Sequence, residues 1–534
     1  MPGRTLLLAL VLATGCRGTL YAGEGGDAGA APTFDAGATP GSDAGALPAR
    51  DAGPTTGLDA GPGTPPPDAG PAVPPPGSLA PGVTVEQVAL FQGVKVTLSE
   101  GDTARSVEAR EVPVVGLRPG RFRIYASGAD RRLTAEVRVT IGEETRVFTD
   151  ARTLSGPSTD ADPSSTFEVD VPGEWLTSEA TWSVAIVEPS GVSAPEGTTH
   201  DARFPRDGSA VALDAIDDTA GLRVVLVPFS WESDGSGRLP DTSPEQVELI
   251  AAHFGALFPY ASIDIEVRAP LAWSGGLTWR GNVDFGDVNA RLVSLRAEDG
   301  VDDDVYYYGL LAPATSRSAY CGRSCVTGQA FVVRDPDDAR IRVGSGLGFT
   351  GEATAHTLQH ELGHIHGRGH APCGASSGID PAFPHSGGRT GVWGWDRIDD
   401  VYYAPDAPDM MGYCSDRWIS DYTYAGMFER HLAIQRRSTR AATHPRAAER
   451  LSFVRVADGR PPEHLRDVTI ELPRTGRTRV RWVSADGRSL GWSDAARLEQ
   501  SHPHDELFLL PVAPAGAVAF EPAGGPLTAL PGPR

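Results

Sequence analysis

Long hydrophobic runs are nearly missing from this 534-residue chain. The apolar run at residues 6–12 is too short to span a bilayer, and no other apolar stretch approaches the roughly 20 residues that a membrane-spanning helix needs. Positive charge is also in short supply, with 47 Lys and Arg against 69 Asp and Glu and a net charge of -22. Such an acidic protein does not favour nucleic acid or an anionic membrane surface as its main target. We therefore expect no nucleic-acid partner, and a soluble, monomeric body outside the membrane.

The N-terminus has the features of an export signal. The apolar residues 6–12 follow a positive charge, and residues 12–16, LATGC, resemble a bacterial lipobox. We predict that residues 1–15 are a lipoprotein signal peptide and that Cys16 becomes the lipidated first residue of the mature protein. The protein would then be anchored to the outer membrane or cell surface, touching the membrane only through its lipid. Ordinary secretion, with cleavage near Ala22, is the alternative.

Residues 16–82 contain almost no large apolar side chain. An Asp-Ala-Gly unit recurs there between stretches of Pro, Gly, Thr and Ala, with its aspartate at positions 27, 35, 43, 51, 59 and 68. Such a segment buries too little surface to offset its chain entropy, so we predict an extended, mobile tether.

Two parts of the chain, residues 83–205 and 441–534, alternate apolar and polar residues in short runs between turns rich in Gly, Pro and Asp. Neither part has a long helical period. This pattern predicts a β-sandwich-like domain for the first part and a small β domain for the second. The candidate strands are residues 83–88, 122–126, 133–141, 167–171, 182–187, 468–472, 478–483 and 507–512.

Residues 206–440 instead alternate strands and helices, which predicts a central α/β domain. The near-continuous apolar run at residues 222–229 is typical of a buried strand. Ser243 followed by Pro244 indicates a helix start, with the serine as cap and the proline in the first turn. Further strands are predicted at residues 263–267, 305–311 and 328–333, and a second helix around residues 288–295.

Histidine is scarce, at 13 residues, yet one stretch of the chain reads HELGHIHGRGH. On a helix, positions four apart lie one above the other, so His360 and His364 can bind one metal ion. Glu361 lies beside them, placed to hold a water rather than to ligate the metal. Gly367 can adopt positive φ and end the helix, so that the chain turns back and delivers His370 as a third nitrogen. Three protein ligands and one open position are the coordination of a single catalytic zinc ion.

The same stretch also has the pattern of a core helix. Leu358, Leu362 and Ile365 form an apolar stripe. Gly363 in mid-helix costs about 1 kcal/mol relative to alanine, a cost easier to understand where the backbone approaches another group closely. An ordinary histidine-rich surface helix is the alternative interpretation.

The extended motif resembles the zinc motif of the metzincin metallopeptidases. A second mark of that family, a methionine in a tight turn beneath the zinc, is matched by residues 409–414, DMMGYC. Met411 and Tyr413 fit the Met-x-Tyr pattern of several metzincin branches, although a methionine that fills a core gap is the alternative. The resemblance covers roughly residues 220–435.

The resemblance implies a twisted mixed sheet that carries the active-site helix, with one zinc ion held by His360, His364 and His370. A zinc-activated water would attack the peptide bond, and Glu361 would act as the general base. Residues 329–333 would form the antiparallel edge of the cleft and pair with an extended peptide substrate.

The resemblance also gives roles to the two residues of the methionine turn. Met411 would support the zinc ligands from below. Tyr413 would ligate zinc at rest and stabilise the transition state, or it would only pack beneath the site.

The chain has only 5 cysteines. With Cys16 lipidated, four remain, and an even number outside the cytoplasm suggests two disulfides with three possible pairings. If the methionine turn lies beneath the zinc, as the resemblance implies, Cys373 and Cys414 are close enough to form one bond. Cys321 and Cys325 would then close a small loop. Alternatively, they would be half of a second zinc site.

These expectations together predict a zinc metalloendopeptidase that acts on protein or glycoprotein substrates, with the β domains as targeting modules. One alternative is a surface-binding lipoprotein that keeps the metal site without catalysis, which the presence of Glu361 disfavours. The other is a zinc hydrolase of a non-peptide bond. We expect His356 and His366 on the solvated rim of the site, with contact to substrate as the alternative, and we assign no role to His385.

Overall fold

The structure is a computed structural model that describes residues 78–534, except 129, 190–196, 279–280, 323–324, 439–446, 458, 503–504 and 533–534. The described chain is multidomain and rich in β-sheet, as the sequence predicts. Among the described residues, no helix is both long enough and apolar enough to cross a membrane. The predicted signal peptide, the predicted lipidation site at Cys16 and nearly all of the predicted tether lie outside the described residues.

Two five-stranded antiparallel sheets form the N-terminal part of the described chain. The strands of this part are β1 (Thr84–Phe91), β2 (Lys95–Glu100), β3 (Thr103–Ala104), β4 (Val115–Gly116), β5 (Gly120–Ser127), β6 (Asp130–Ile141), β7 (Glu144–Ser155), β8 (Phe167–Val171), β9 (Thr181–Val187), β10 (Arg203–Phe204), β11 (Val211–Ala212) and β12 (Ile216–Asp217). The first sheet has the order β3-β2-β1-β5-β8, the second β10-β9-β6-β7 with β11 beside β9, and β4 pairs with β12. Phe122 of the first sheet and Trp182 of the second are buried with ring centroids 5.7 Å apart, which packs the two sheets face to face.

A mixed six-stranded sheet forms the middle of the chain. The elements of this region are β13 (Leu222–Trp231), α1 (Pro244–Leu257), β14 (Ile263–Val267), β15 (Leu271–Trp273), α2 (Phe285–Asp299), β16 (Val305–Leu311), α3 (Arg317–Cys321), β17 (Gly328–Ala330), β18 (Val343–Leu347), α4 (Glu352–Ile365), β19 (Gly394–Asp396), β20 (Val401–Tyr403) and α5 (Asp421–Ser438). The strand order is β14-β13-β16-β18-β17, with β15 beside the end of β13. Neighbouring strands are parallel except for β17, which pairs antiparallel with β18. β19 and β20 form a separate hairpin.

Capping residues set the starts of the helices that alternate with these strands. At the predicted start of α1, Ser243 Oγ accepts a hydrogen bond from the amide of Gln246 at 3.4 Å, and Pro244 is the first helical residue. Asp284 caps α2 in the same way, through the amide of Asp287 at 3.1 Å. Side-chain oxygens at these positions satisfy amides that have no partner within the helix.

The edge of the central sheet differs from the sequence prediction. β17 ends at Ala330 rather than at residue 333. β18, directly before α4, is not predicted, because its sequence VGSGL has two glycines and no apolar run. The glycines allow close packing: a Cβ at Gly346 would overlap the hydroxyl of Tyr308, and one at Gly344 would lie 3.2 Å from Cδ1 of Ile365 in α4.

A seven-stranded antiparallel sheet forms the C-terminal part of the chain. Its strands are β21 (Glu449–Val456), β22 (Glu463–Ile470), β23 (Arg477–Ser484), β24 (Ser489–Leu498), β25 (Glu506–Pro511), β26 (Ala517–Pro522) and β27 (Thr528–Ala529). Their order is β22-β21-β25-β24-β23-β26-β27. Trp482, Phe508 and Phe520 are buried together on this sheet.

One buried arginine joins the N-terminal sheets to the middle of the chain. The Arg118 guanidinium donates to the backbone carbonyls of Gly255 and Ala256 at the end of α1, both at 3.0 Å. It also donates to the hydroxyl of Tyr424 in α5 at 2.7 Å. The N-terminal sheets are therefore attached to the central region at α1 and α5.

Candidate metal centre

α4 carries His360 and His364 one turn apart. The predicted apolar stripe on the same helix, Leu358, Leu362 and Ile365, is buried in the core. This packing fixes the rotation of the helix about its axis, and with it the direction of both imidazoles.

The chain turns sharply after α4, as the sequence predicts. Gly367 has φ 84°, a conformation that favours glycine. The return of the chain brings His370 to the two helical histidines. Nε2 of His364 lies 3.2 Å from Nε2 of His360 and 3.2 Å from Nε2 of His370. The structure therefore brings the three predicted ligands together.

Each of the three imidazoles uses its other nitrogen to bond a backbone carbonyl. The Nδ1 atoms of His360, His364 and His370 lie 2.9, 2.8 and 2.7 Å from the carbonyl oxygens of Met410, Arg368 and Ser377. A carbonyl oxygen only accepts, so the Nδ1 atoms carry the protons and the Nε2 atoms of neutral rings keep their lone pairs. Hydrogen bonds of this kind orient histidine ligands in metal sites.

Burial keeps the three imidazoles neutral. It lowers the pKa of His360 to about 3, the pKa of His364 well below its usual value, and the pKa of His370 in the same direction. Neutral nitrogens whose lone pairs face one another at 3.2 Å repel each other unless a cation lies between them. These three side chains could therefore hold a metal ion.

Glu361 lies beside the three histidines with only 1% of its surface exposed. Burial raises the pKa of its carboxyl to about 8, and a hydrogen bond from Ser501 Oγ at 3.0 Å opposes part of that shift. The backbone of β17 lies close by, since a Cβ at Gly328 would be 2.9 Å from Cγ of Glu361. A carboxyl with a pKa near neutrality can both accept and release a proton.

The methionine turn packs against α4. Met411 is fully buried, and a Cβ at Gly363 would overlap its Sδ, which explains the glycine in the middle of the helix. The Asp409 carboxylate holds the turn by accepting from the amides of Met411 at 2.7 Å and Ser420 at 2.8 Å. The amide of Ala371 donates to the Met411 carbonyl at 3.1 Å, which ties the turn to the loop of the third histidine.

Tyr413 reaches the histidine cluster from the same turn. Its hydroxyl lies 2.7 Å from Nε2 of His370, although 42% of the residue is exposed. Desolvation of the hydroxyl raises the pKa of Tyr413, and the Glu361 carboxylate adds to the shift, so the phenol keeps its proton. The phenol can therefore donate a hydrogen bond at the point where the three imidazoles meet.

Both predicted disulfides are present. Cys373 and Cys414, with Cα atoms 5.7 Å apart, join the loop of the third histidine to the methionine turn. Cys321 and Cys325 close a small loop with Cα atoms 4.6 Å apart, which excludes their alternative role in a second zinc site. The two bonds are compatible with a location outside the cytoplasm.

The prediction that His366 lies on the solvated rim is wrong. Only 1% of the residue is exposed, because it lies one turn after the buried Leu362 and shares its core-facing side. Its Nδ1 donates to the Leu362 carbonyl at 2.7 Å, and its Nε2 accepts from the hydroxyl of Tyr260 at 2.5 Å. Its ring stacks on Tyr306 with centroids 4.8 Å apart.

Two further histidines lie apart from the cluster. His356 is exposed, as predicted, and its ligand atoms lie within 4.8 Å of those of His253 and Glu352. Sequence reasoning missed this grouping because His253 belongs to a different helix. Two of its three side chains are exposed, and exposed groups of this kind are common without a metal, so we assign none. Nε2 of His385 bonds Asp421 at 2.6 Å.

Sequence reasoning also missed residues 499–502, which follow β24 and reach the candidate metal centre. Ser501 Oγ contacts the Glu361 carboxylate across 140 positions of sequence. His502 lies near Tyr413, with the tyrosine hydroxyl 3.4 Å from each ring nitrogen. The local sequence EQSH carries no metal or catalytic motif, so only the tertiary fold reveals these neighbours.

No protein-family model matches this chain, and no curated protein matches it significantly. Any assignment of function therefore depends on the histidine cluster and the residues around it.

Proposed function

We propose that this protein is a zinc-dependent endopeptidase of the metzincin type. The observation that carries the proposal is the convergence of three imidazole Nε2 atoms, from His360, His364 and His370, beside the buried carboxyl of Glu361. A structural zinc site is closed by four protein ligands, whereas the group that the described residues form supplies three, as catalytic sites do.

The donor set fits zinc better than other common divalent ions. Calcium and magnesium prefer oxygen ligands, whereas neutral imidazoles with their second nitrogen held by a carbonyl are typical zinc ligands. When bound, zinc would supply a Lewis acid that polarises the substrate carbonyl and makes water acidic near neutral pH.

Glu361 is placed to move the protons of the reaction. Its carboxylate would take a proton from the attacking water and pass it to the nitrogen of the leaving amine. Burial raises the pKa of this carboxyl above its usual value, which makes its ionised form a stronger base for the first transfer. The protonated hydroxyl of Tyr413 would donate a hydrogen bond to the oxyanion that forms on the substrate carbonyl.

A polypeptide is the substrate class that the surroundings favour. β17 is an antiparallel edge strand whose Gly328 packs against Glu361, and an extended peptide can add to such an edge through its backbone. Residues of this chain already bind there in that way: the amide of Ser501 donates to the Ala330 carbonyl at 2.9 Å. Protein or glycoprotein chains are therefore the proposed substrates.

We further propose that the mature enzyme acts outside the cytoplasm, attached to the outer membrane or cell surface by lipid on Cys16. The lipobox-like residues 12–16 and the two disulfides support this location. The residues between the anchor and the described chain would act as the tether.

Removal and return of the metal test the proposed function. We expect purified mature protein to cleave casein, to stop after dialysis against a zinc chelator, and to recover when stoichiometric zinc is added back. The zinc-loaded protein then contains one zinc ion per chain by mass spectrometry, as one three-imidazole site requires.

Cleavage that persists in metal-free protein would contradict the proposal. Zinc-loaded protein that cleaves neither casein nor unstructured peptides would favour the surface-binding lipoprotein or a hydrolase of another bond.

A further inference from the structure

The C-terminal sheet enters the candidate active site through residues 499–502, called the latch segment from here on. Its backbone pairs with the outer edge of the central sheet: the amide of Ser501 donates to the Ala330 carbonyl, and the amide of Val332 donates to the Glu499 carbonyl, both at 2.9 Å. Phe331 and Gln500 form an antiparallel bridge between these bonds. The latch segment therefore lies antiparallel beside residues 330–332, the last residue of β17 and the two that follow it, as an additional extended strand.

The side chain of Ser501 lies directly at the proposed general base. Its hydroxyl donates to Oε2 of Glu361 at 3.0 Å and accepts from the amide of Ala330 at 3.1 Å. Both Ser501 and Glu361 are only 1% exposed. The serine hydroxyl thus holds the carboxylate that would otherwise bind the attacking water.

His502, the last residue of the latch segment, lies beside three other residues of the candidate site. Nε2 of His502 lies 3.9 Å from Oε1 of Glu361, and its ring centroid lies 5.9 Å from those of His370 and Tyr413. The carbonyl of His502 accepts a hydrogen bond from Nε2 of Gln329 at 2.9 Å, which fixes the end of the segment to β17.

Ion pairs hold the C-terminal sheet in this place. Arg334 makes two bonds to the Glu499 carboxylate, at 2.6 and 3.1 Å. Arg455 of β21 donates to both carboxylate oxygens of Asp284, at the start of α2, at 2.6 Å. A cavity of about 330 Å³ lies beside the latch segment, and Gln329 and Gln500 are among the residues that line it.

A substrate peptide needs both the β17 edge and the Glu361 carboxyl, and the latch segment occupies both. We propose that the latch segment is an intramolecular inhibitor, which keeps the enzyme latent until the C-terminal sheet is displaced or cleaved away. This inference rests on the proposed peptidase function. The latch segment is held by non-covalent contacts alone, so a small fraction of molecules in which it has moved away retains activity.

Two substitutions in the full mature chain loosen the latch segment and leave the three histidines and Glu361 themselves unchanged. Glu499→Arg places a positive charge opposite Arg334. Ser501→Pro removes the amide that bonds Ala330 and the hydroxyl that bonds Glu361. Ser501→Ala keeps the amide and loses only the hydroxyl.

Glu506→Arg is the matched control. Glu506 pairs with Arg497 at 2.6 Å inside the C-terminal sheet, and its side chain is as exposed as that of Glu499, 43% against 42%. The control therefore breaks an equivalent ion pair away from β17.

The first measurement is the rate at which zinc-loaded protein gives up its zinc to the chromogenic chelator pyridylazoresorcinol. We expect release about tenfold faster from Glu499→Arg and Ser501→Pro than from the wild type, a smaller increase for Ser501→Ala, and a rate within about twofold of wild type for Glu506→Arg. If Glu499→Arg and Ser501→Pro both release zinc at the same rate as Glu506→Arg, the proposal that the latch segment covers the site is wrong.

The second measurement is cleavage of a quenched-fluorescent, unstructured peptide by the same preparations. We expect the loosened variants to cleave it about tenfold faster than the wild type, because more molecules have an open cleft. Equal cleavage by the wild type, the control and both loosened variants would overturn the latch and leave the peptidase proposal intact. If the loosened variants release zinc faster but no protein cleaves the peptide, the latch segment does cover the metal site and the peptidase proposal is wrong.

Discussion

Gly363 lets the sulfur of Met411 reach the backbone of α4 between the two helical histidines. The sequence already marks this position as costly, since glycine in a helix is about 1 kcal/mol less favourable than alanine. The structure gives the reason, because any larger residue would force the turn away from the helix. Met411 therefore fixes the distance between the methionine turn and the two helical histidines.

We predict that Gly363→Ala destabilises the protein although alanine is the better helix former. The added methyl overlaps Met411, and overpacking of a core typically costs about 1–3 kcal/mol, which outweighs the gain of about 1 kcal/mol in helix propensity. We expect a lower unfolding midpoint in urea and weaker zinc retention.

Gly286→Ala in α2 is the control for this prediction. A Cβ there has its nearest neighbours at 3.5 Å, an ordinary contact distance, so only the helix propensity changes. An unfolding midpoint that rises equally in both variants would refute the role given to Gly363.

For single residues, the sequence predicts the positions of those whose spacing is fixed within one helix and the loop that follows it. His360, His364 and His370 meet as expected. The burial of His366 is not predicted, because a polar side chain suggests exposure, whereas the position of His366 one turn after Leu362 places it in the core. Ser501 is invisible to sequence reasoning, since its contact with Glu361 depends on the packing of a distant sheet.

Among the elements, the loop of the third histidine depends on its attachment to the methionine turn. Cys373 and Cys414 bond these two segments across 41 positions. The amide of Tyr413 also donates to the Cys373 carbonyl at 2.7 Å, so the bond reinforces a contact that the backbone already makes.

We predict that Cys373→Ser and Cys414→Ser each weaken zinc retention and activity, and that the double variant is little worse than either single variant. A disulfide that closes about forty residues contributes on the order of 3–4 kcal/mol in the chain-entropy model. Zinc dissociation rates and urea unfolding of the three variants measure both effects.

Cys321→Ser serves as the comparison, because its disulfide closes a short loop that carries none of the three histidines. We expect a much smaller change in zinc dissociation there. Additive losses in the Cys373 and Cys414 double variant would argue that the two cysteines do not act as one bond.

The sequence predicts those elements whose signals are local. α1 begins at the predicted cap, and the apolar runs of β14 and β16 have the predicted bounds. β18 escapes prediction because its glycines are selected by close packing with Tyr308 and α4 rather than by strand propensity. β17 is shorter than predicted because beyond Ala330 only the Phe331 amide still bonds β18, at Val343, while Val332 bonds the latch segment and Val333 bonds the His364 carbonyl of α4.

Across the whole molecule, the two β regions relate to the site in different ways. Arg118 attaches the N-terminal sheets to the C-terminal end of α1 and to α5. The C-terminal sheet instead reaches Glu361 through Ser501. Sequence patterns alone describe both regions as similar flanking β domains, because alternating apolar residues specify strands but not the surface on which a sheet docks.

We propose that zinc and Glu361 together hydrolyse peptide bonds, and Glu361→Gln separates the two roles. Zinc content and casein cleavage are measured on the same preparations of the wild type, Glu361→Gln and the control Glu352→Gln, an exposed glutamate at the start of the same helix. We expect all three proteins to hold equal zinc. The control should cleave at the wild-type rate, whereas Glu361→Gln should be slower by about a hundredfold to ten-thousandfold, the range typical for loss of a general base. Near-wild-type cleavage by Glu361→Gln with a full complement of zinc would contradict the claim.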